Sequence, residues 1–404
     1  MYWFAQMKDA PHQRGHRRLK FAPQLASVSR PTFSVIVPAH NAAHQLPLCL
    51  QALAASKFRD FEVIVVDDAS RDRSHRIALT YGARCIRSRN QVGPAAARNL
   101  GARSARGTLL VFVDADVVVP ENTLELFAED FETNVAVAAV FGSYDDEPVE
   151  RNFLSQYKNL LHHYVHQQSR PEATTFWSGC GAIRKSRFEQ IGGFDEGLYR
   201  KPSIEDIELG SRLCQAGYEI RLDKRIQARH LKRWTPLQLL RTDIRDRAVP
   251  WSRLILRARS MPSDLNLTYG ARASVVLALS LAFCVAWSLV AAALHRDSSQ
   301  LSLMASLPAS ATLLVLNQRL YRFFLRKRGL GFALRVIPTH WAYFFYSGLA
   351  WIFCCLEHLL SAFQAGRRGQ QERFVSRVPA DWIEGPQPAI DVGSIARVGN
   401  LPTH

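Results

Sequence analysis

TLLVFVDADVVVP, Thr108–Pro120, is the stretch that decides how this chain folds. Its first six residues read as a strand buried on both faces, and two carboxylates, Asp114 and Asp116, stand where the run breaks. Runs of the same kind occur upstream at Phe33–Val37 (FSVIV), ended by Pro38, and at Phe61–Val66 (FEVIVV). A further one follows at Val135–Phe141. The intervening segments 43–56, 71–81 and 94–106 are long enough for crossover helices. Strand and helix alternating at this interval predict an α/β fold with a mostly parallel central sheet covered on both faces. Ligands of such sheets bind beyond the carboxyl ends of the strands. The polar clusters fall there: Ala39-His40-Asn41, Asp67-Asp68 and Asp114-Ala115-Asp116.

Each cluster carries its own chemistry. Two carboxylates two residues apart can both approach one cation if the backbone turns, and Mg²⁺ or Mn²⁺ takes oxygen ligands and bridges carboxylates to diphosphate oxygens. For Asp114 and Asp116 the other reading is a helix cap or a solvated loop, and their place at the ligand edge favours the metal. Of Asp67 and Asp68, one can accept from a base N–H or a ribose hydroxyl while the other caps the next helix, a role open to Ser70 as well. VGPAAARN at 92–99 opens a helix with Pro94 near its first turn, and its small residues permit close approach. Arg98 in that helix either meets a phosphate or holds an acidic loop; the stretch matches neither a Walker A loop nor a dinucleotide fingerprint. Glu205, Asp206 and Glu208, in SIEDIELGSRL, start a helix where its field favours acids. A carboxylate there can take the proton of an attacking hydroxyl, because an alcohol is a poor nucleophile until that proton leaves. Residues 151–168 read as a helix, 172–198 as turn-rich, and 218–230 as extended, ending at His230.

Charge and apolar patterning divide the rest. The net charge of +16 fits an anionic membrane surface or anionic substrates. Basic residues border the apolar runs, and no nucleic-acid-binding signature accompanies them, so no nucleic-acid partner is expected. The seven cysteines are odd in number and lack C-x-x-C spacing, which predicts free thiols and no structural zinc. Residues 1–31 form a basic tail, either a disordered solubilising segment or one lying on anionic lipid with Trp3 and Phe4 as anchors. That tail lacks the apolar core of a secretory signal, so the domain at 32–230 is expected in the cytoplasm. Residues 231–270 are basic and broken by Pro236, Pro250 and Pro262, as suits a segment hugging a surface. In 271–360 the uncharged runs Ala273–Leu294, Ser298–Gln318 and Val336–Leu356 predict two to three transmembrane helices of a multi-pass protein of the inner membrane. Arg319, Arg322, Arg326, Lys327 and Arg328 read as a basic loop facing the cytoplasm. With a turn at 295–297 the first two runs would make a hairpin, while the third crosses or lies re-entrant. Residues 361–404 read as a loosely ordered tail.

Taken together, these residues resemble the family-2 inverting glycosyltransferases of the GT-A fold group. The resemblance covers about residues 33–230 and places four motifs in family order: SVIVPAHN at 34–41, VVDDAS at 65–70, FVDADV at 112–117 and IEDIELGSRL at 204–213. SGCGAIRK at 178–185 precedes the last as the acceptor-side segment. The resemblance implies that Pro38, Asn41, Asp67, Asp68 and Arg98 surround the nucleotide. It implies that Asp116, helped by Asp114 and approached by His230, addresses Mg²⁺ or Mn²⁺, and that Asp206, with Glu205 beside it, is the base. Ser178, Gly179, Cys180 and Gly181 would then lie on the acceptor side, with Arg233 and Trp234. The processive enzymes of the group carry a glutamine-x-x-arginine-tryptophan motif; Leu231-Lys232-Arg233-Trp234 departs from it, which argues against a polymer-extruding channel.

The function implied is transfer of a sugar from a nucleotide-sugar donor, UDP-linked in the commoner case, to a lipid-linked or hydrophobic acceptor at the membrane. A nucleotidyl or phosphosugar transferase would need a second phosphate-binding loop, and none is visible. A scaffold that only binds nucleotide would bind without turnover.

Overall fold

The computed structural model describes Phe21, residues 30–294 and residues 298–375. Trp3, Phe4 and nearly all of the basic tail, the 295–297 turn and residues 376–404 lie outside the described residues. The chain forms two units, one ending at Ile352 and one beginning at Phe353.

The first four strands, β1 (Phe33–Ala39), β2 (Phe61–Asp67), β3 (Arg84–Arg87) and β4 (Leu109–Val113), lie side by side in the order β3-β2-β1-β4, all parallel. Helices α1 (Leu46–Ala54), α2 (Ser74–Thr80) and α3 (Pro94–Ser104) connect them. This half matches the expected parallel sheet, with two differences. β1 runs through Pro38: its pairing with β4 ends at Ile36, so at Pro38 only β2 is alongside and the missing N–H breaks no ladder with β4. β3, sequence RCIR, was not foreseen, because a short, half-exposed edge strand has no apolar run to announce it.

The other half is mixed. β5 (Val117–Val118) leads to α4 (Thr123–Thr133), β6 (Val137–Tyr144), α5 (Phe153–Gln168) and the short β7 (Glu172–Ala173). β8 (Cys180–Arg184), in the stretch read as turn-rich, then inserts antiparallel between β4 and β6. After α6 (Lys185–Gln190) and α7 (Glu205–Gln215), β9 (Glu219–His230) pairs parallel to β6 and antiparallel to β5. On one face Phe112 packs against Phe194 and Phe188, with ring centroids 5.2 and 5.5 Å away. α7 seats closely on this face because Gly210 has no side chain: a Cβ there would sit 2.5 Å from the Phe176 backbone nitrogen.

Beyond His230 the basic segment is helical. Pro236 opens α8 (Pro236–Arg241) behind a Thr235–Gln238 capping box, and a π-helical turn, Thr242–Ala248, follows. Pro250 sits in the first turn of α9 (Val249–Ala258). Pro236 starts its helix, as a first-turn proline can, whereas Pro250 lies within a continuous helical run, just after the π-helical turn, and does not break it.

Among the described residues two helical stretches are long and apolar enough to cross a membrane: α10 (Tyr269–Ala293), and Leu330–Gln364 within the last helix. α11 (Ser298–Leu316) has a shorter apolar part, Leu303–Leu316. The basic residues at 319–328 form a helix, α12 (Gln318–Arg328), where a loop was expected. Its Leu320, Tyr321 and Phe324 share one face and pack on Tyr157, Leu160 and Leu161 of α5. Lys327 pairs with Asp146, and Arg328 Nε donates to Gln156 Oε1 at 2.7 Å. The final helix, α13 (Leu330–Val375), extends past 361, so the segment expected as a loose tail begins as helix.

Candidate active site

The loops at the ends of the parallel strands are built first from hydrogen bonds among themselves. Asn41 has a positive φ of 51°; its N–H donates to Ser70 Oγ and its Oδ1 accepts from the Arg71 N–H, joining the loop after β1 to that after β2. The Asp68 carboxylate accepts from Val92 N (2.7 Å), Gly93 N (2.9 Å) and Ser88 Oγ (3.0 Å). Gly93 takes a φ of 90° with its Cα against the Arg200 carbonyl, where a Cβ would approach to 2.2 Å. Asp67 Oδ1 accepts from Ser70 N, and its Oδ2 lies 3.1 Å from Arg87 Nε. Both carboxylates are thus buried and held by protein groups, which departs from the expectation that one of them is open to a base or ribose. Asp67 Oδ2 accepts no hydrogen bond from the described residues and meets only the Arg87 charge.

Arg98 is corrected in the same way. It is 4% exposed and bridges two acids: Nη2 donates to Asp114 Oδ1 at 2.7 Å and Nη1 to Glu205 Oε1 at 2.9 Å. Of the two roles its sequence left open it takes the second and holds the acidic loop. Burial pushes the Asp114 carboxyl above its ordinary value, Arg98 pulls it down, and the Asp116 charge raises it again.

Asp116 is placed by the β5–β9 pairing, in which Val117 faces His230 and the Leu231 N–H donates to the Asp116 carbonyl at 2.8 Å. His230 Nε2 consequently lies 3.3 Å from Asp116 Oδ2. Burial alone would raise this carboxyl, but His230 and then Lys232 hold it down at about 2, ionised at any working pH.

Among the described residues no three His, Cys, Asp or Glu side chains form a ready cage for a metal. Asp116 and His230 nevertheless fit a hard divalent ion of the Mg²⁺ type, which is bound by one or two carboxylates and completes its shell with substrate phosphate and water. Asp114 fits less well than expected, because Arg98 holds one of its oxygens.

The second acidic centre stands at the start of α7. Glu205 is buried, accepting from Arg98 and from the Ser203 N–H at 2.8 Å. Asp206 is partly exposed; its Oδ2 accepts from Ser178 N (3.1 Å) and Oγ (3.3 Å) and its Oδ1 from Ile207 N. Burial first, then the Glu205 charge, raise its carboxyl to about 6, against the pull of Arg98. A carboxylate of that basicity is suited to taking a proton near neutral pH. The loop before β8 ties the two centres together, since Gly179 accepts from the Asp114 N–H while Ser178 holds Asp206.

Cys180 and Gly181, expected on the acceptor side, are buried in the sheet. They lie in β8 between β4 and β6; the Cys180 thiol is buried and raised to about 12, and a Cβ on Gly181 would sit 2.5 Å from the Trp177 carbonyl. The Arg233 side chain is 73% exposed and 3.9 Å from Glu150. Trp234 is buried, with its N–H donating to Ser155 Oγ and Lys232 Nζ 4.1 Å from its ring centroid.

Sequence reasoning passed over a group beside His230. The Tyr144 ring is 5.2 Å from that of His230 and 4.5 Å from that of Trp177. Lys158, His162, Lys232 and Arg247 line the adjoining cavity. A signal was available: Lys158 and His162 are four apart on one helix, as are Asp243 and Arg247, so each pair shares a face.

Residues 34–192 match the model of glycosyl transferase family 2, and residues 159–233 that of the N-terminal domain of galactosyltransferase. An uncharacterized glycosyltransferase of Haemophilus influenzae is 29% identical over 193 residues, 45% of this chain and 62% of its own. The O-antigen chain rhamnosyltransferase WbaN of Salmonella anatum is 30% identical over 220 residues, 52% of this chain and 69% of its own. The chain spans between 37% and 62% of the length of the first three curated relatives it matches. A solved mannosyltransferase, PcManGT from Pyrobaculum calidifontis in complex with GDP-Man and Mn²⁺, is 18% identical with a TM-score of 0.49, covering 84% of this chain and 91% of that one. A likeness at that level carries no ligand over to this chain.

Proposed function

From the premise that this chain belongs to glycosyl transferase family 2 and is a glycosyltransferase, we propose that it moves a sugar from a nucleotide-diphosphate donor, UDP-linked, to a hydroxyl of a lipid-linked or membrane-proximal acceptor with inversion. The observation that carries the mechanism is the separation of two acids by environment: Asp116 beside His230, held near 2, and Asp206 raised to about 6. Asp206 accepts the proton of the acceptor hydroxyl as its oxygen forms the new bond to the anomeric carbon. The bond from that carbon to the diphosphate oxygen breaks on the opposite face, and the nucleoside diphosphate leaves with the electron pair. Ser178 orients Asp206 through two hydrogen bonds, and Arg98 holds Glu205 and Asp114 in register with it. Mg²⁺ or Mn²⁺, when bound by Asp116 and His230, supplies positive charge to the departing diphosphate.

Replacing Asp116 by Asn keeps its size but removes a charged ligand. Donor binding in the presence of Mn²⁺ is expected to weaken roughly tenfold or more, with turnover falling alongside. Calorimetric titration of UDP-sugars, with GDP- and dTDP-sugars as controls, with and without Mn²⁺, reads this directly. Unchanged Mn²⁺-dependent binding in the variant would remove Asp116 from the donor site.

Membrane attachment is part of the proposal. It is supported by the length and composition of α10 and Leu330–Gln364, and by the packing of α12 on α5, which puts the basic helix and the catalytic domain on one side. That side is the cytoplasm in this reading. A single reporter cysteine at Arg322, in a chain with its other accessible cysteines replaced, should resist an impermeant thiol reagent added to intact cells. Strong labelling there would sink the topology.

A further inference from the structure

We propose that Trp177 reads the acceptor: its indole N–H donates to an oxygen beside the reacting hydroxyl, so the acceptor ends in a polyhydroxylated unit, a lipid-borne sugar. The inference rests on the glycosyl-transfer reading and names the acceptor class for that site.

The chain holds this indole at the junction of the two acidic centres. Its Nε1, Cε2 and Cζ2 lie over Gly179, where an added Cβ would come within 2.5, 2.6 and 2.7 Å of them. The Gly179 carbonyl accepts from the Asp114 N–H, and Ser178, between the two residues, holds Asp206. The Tyr144 ring at 4.5 Å and the His166 ring at 6.0 Å flank the indole, which packs against the cores on both faces of the sheet. A side chain fixed in this way loses little further freedom when it binds. Trp177 is nevertheless partly exposed. Among the described residues nothing accepts its Nε1–H, and that nitrogen is open to solvent. An indole nitrogen can only donate, so its partner is an acceptor such as a hydroxyl oxygen.

Placement and charge assign this donor to the acceptor and to a sugar. Trp177 leads into β8, on the side of β4 away from β1 and β2. It precedes Ser178, which orients the base, so an acceptor whose hydroxyl meets Asp206 brings its neighbouring atoms to the indole. The side chains of Asp114 and Asp116 are each 33% exposed, and Asp206 is partly exposed, so three carboxyl groups open into the cleft. A phosphate offered there as the nucleophile meets like charge. A lone alcohol has no second oxygen for the indole. The vicinal hydroxyls of a sugar supply one and bring no charge.

The experiment uses the full chain in nanodiscs of phosphatidylcholine with Mn²⁺ and a UDP-sugar that the wild type binds. Dodecyl glucoside, galactoside, mannoside and N-acetylglucosaminide are compared with dodecanol and dodecyl phosphate as acceptors. The wild type should use at least one glycoside with a kcat/KM roughly tenfold or more above that for dodecanol or dodecyl phosphate. Trp177→Phe keeps an aromatic ring against Tyr144 but loses the N–H. Its KM for that glycoside should rise roughly threefold to tenfold, the loss falling on KM more than on kcat, with UDP-sugar affinity that of the wild type. Lost folding would lower kcat and donor affinity together. Four outcomes overturn the proposal: dodecanol or dodecyl phosphate used as well as the best glycoside, no glycoside used, an unchanged KM in Trp177→Phe, or weaker UDP-sugar binding in that variant, which would give Trp177 to the transferred sugar. A wild type that binds UDP-sugar but uses no glycoside leaves the glycosyl-transfer reading standing; one that binds no nucleotide-sugar overturns that reading and this inference with it.

Discussion

Asp206→Asn is expected to bind donor normally and to transfer sugar at least roughly 10²-fold more slowly, the range lost with a general base. The group meets the acceptor proton chiefly in the transition state, so ground-state binding has little to lose. In the wild type the acid limb of the rate profile should fall near pH 6, because a protonated Asp206 cannot accept a proton. Turnover rises with pH through that value, and the limb should vanish in the variant. Stability should move the other way. A carboxyl raised from 3.8 to about 6 in the folded state loses its stabilising contribution as pH climbs through that window. At pH 8 the ionised group is a burden that Asn removes, so the thermal midpoint of the variant should equal or exceed that of the wild type. Normal turnover in Asp206→Asn would refute the assignment. If Glu205→Gln were inactive with intact folding while Asp206→Asn worked, the base would be Glu205.

Arg98→Met is expected to have the largest effect on stability. It strands the Glu205 carboxylate in the interior and frees an Asp114 that is one-third exposed. Removing one partner of a buried ion pair costs about 3–5 kcal/mol, and the exposure of Asp114 places this case near the lower end. The thermal midpoint in detergent should drop well below that of the wild type, and turnover with it, because Asp206 shares its helix turn with Glu205. Arg98→Lys should recover little, since one ammonium cannot span two carboxylates as the guanidinium does. Adding Glu205→Gln to Arg98→Met should restore part of the lost stability by deleting the stranded charge. A variant as stable and active as the wild type would show that the bridge is dispensable.

How much could be read beforehand follows from where each residue's partners lie. β1, β2, β4 and β6 are buried along nearly their whole length, so each is a continuous apolar run in the chain. β8 is equally buried, but Cys180, Gly181 and Ala182 are small, and nothing local says that CGAIR enters the sheet antiparallel between two distant strands. The choice between Glu205 and Asp206 turns on Arg98, 107 residues away. Asp68 looked like a ligand contact because the N–H groups it serves belong to a loop some 25 residues on. In α12 the apolar positions 320, 321 and 324 were legible, but five basic residues around them gave the appearance of a loop.

The clamp between α12 and α5 has a consequence for traffic. Apolar contacts, the Lys327–Asp146 pair and the Arg328–Gln156 hydrogen bond fasten the catalytic domain at its α5 face, and the Tyr346–Asp243 bond fastens it again beside the catalytic cavity. A domain pinned at two places has almost no reach relative to these helices. With the apolar helices embedded as proposed, it would work at one fixed height above the lipid, and an acceptor carried in the bilayer would come to it by lateral diffusion. Encounter frequency would then follow the number of acceptor molecules in that leaflet, and the bulk concentration of a water-soluble analogue would be a poor guide to the rate.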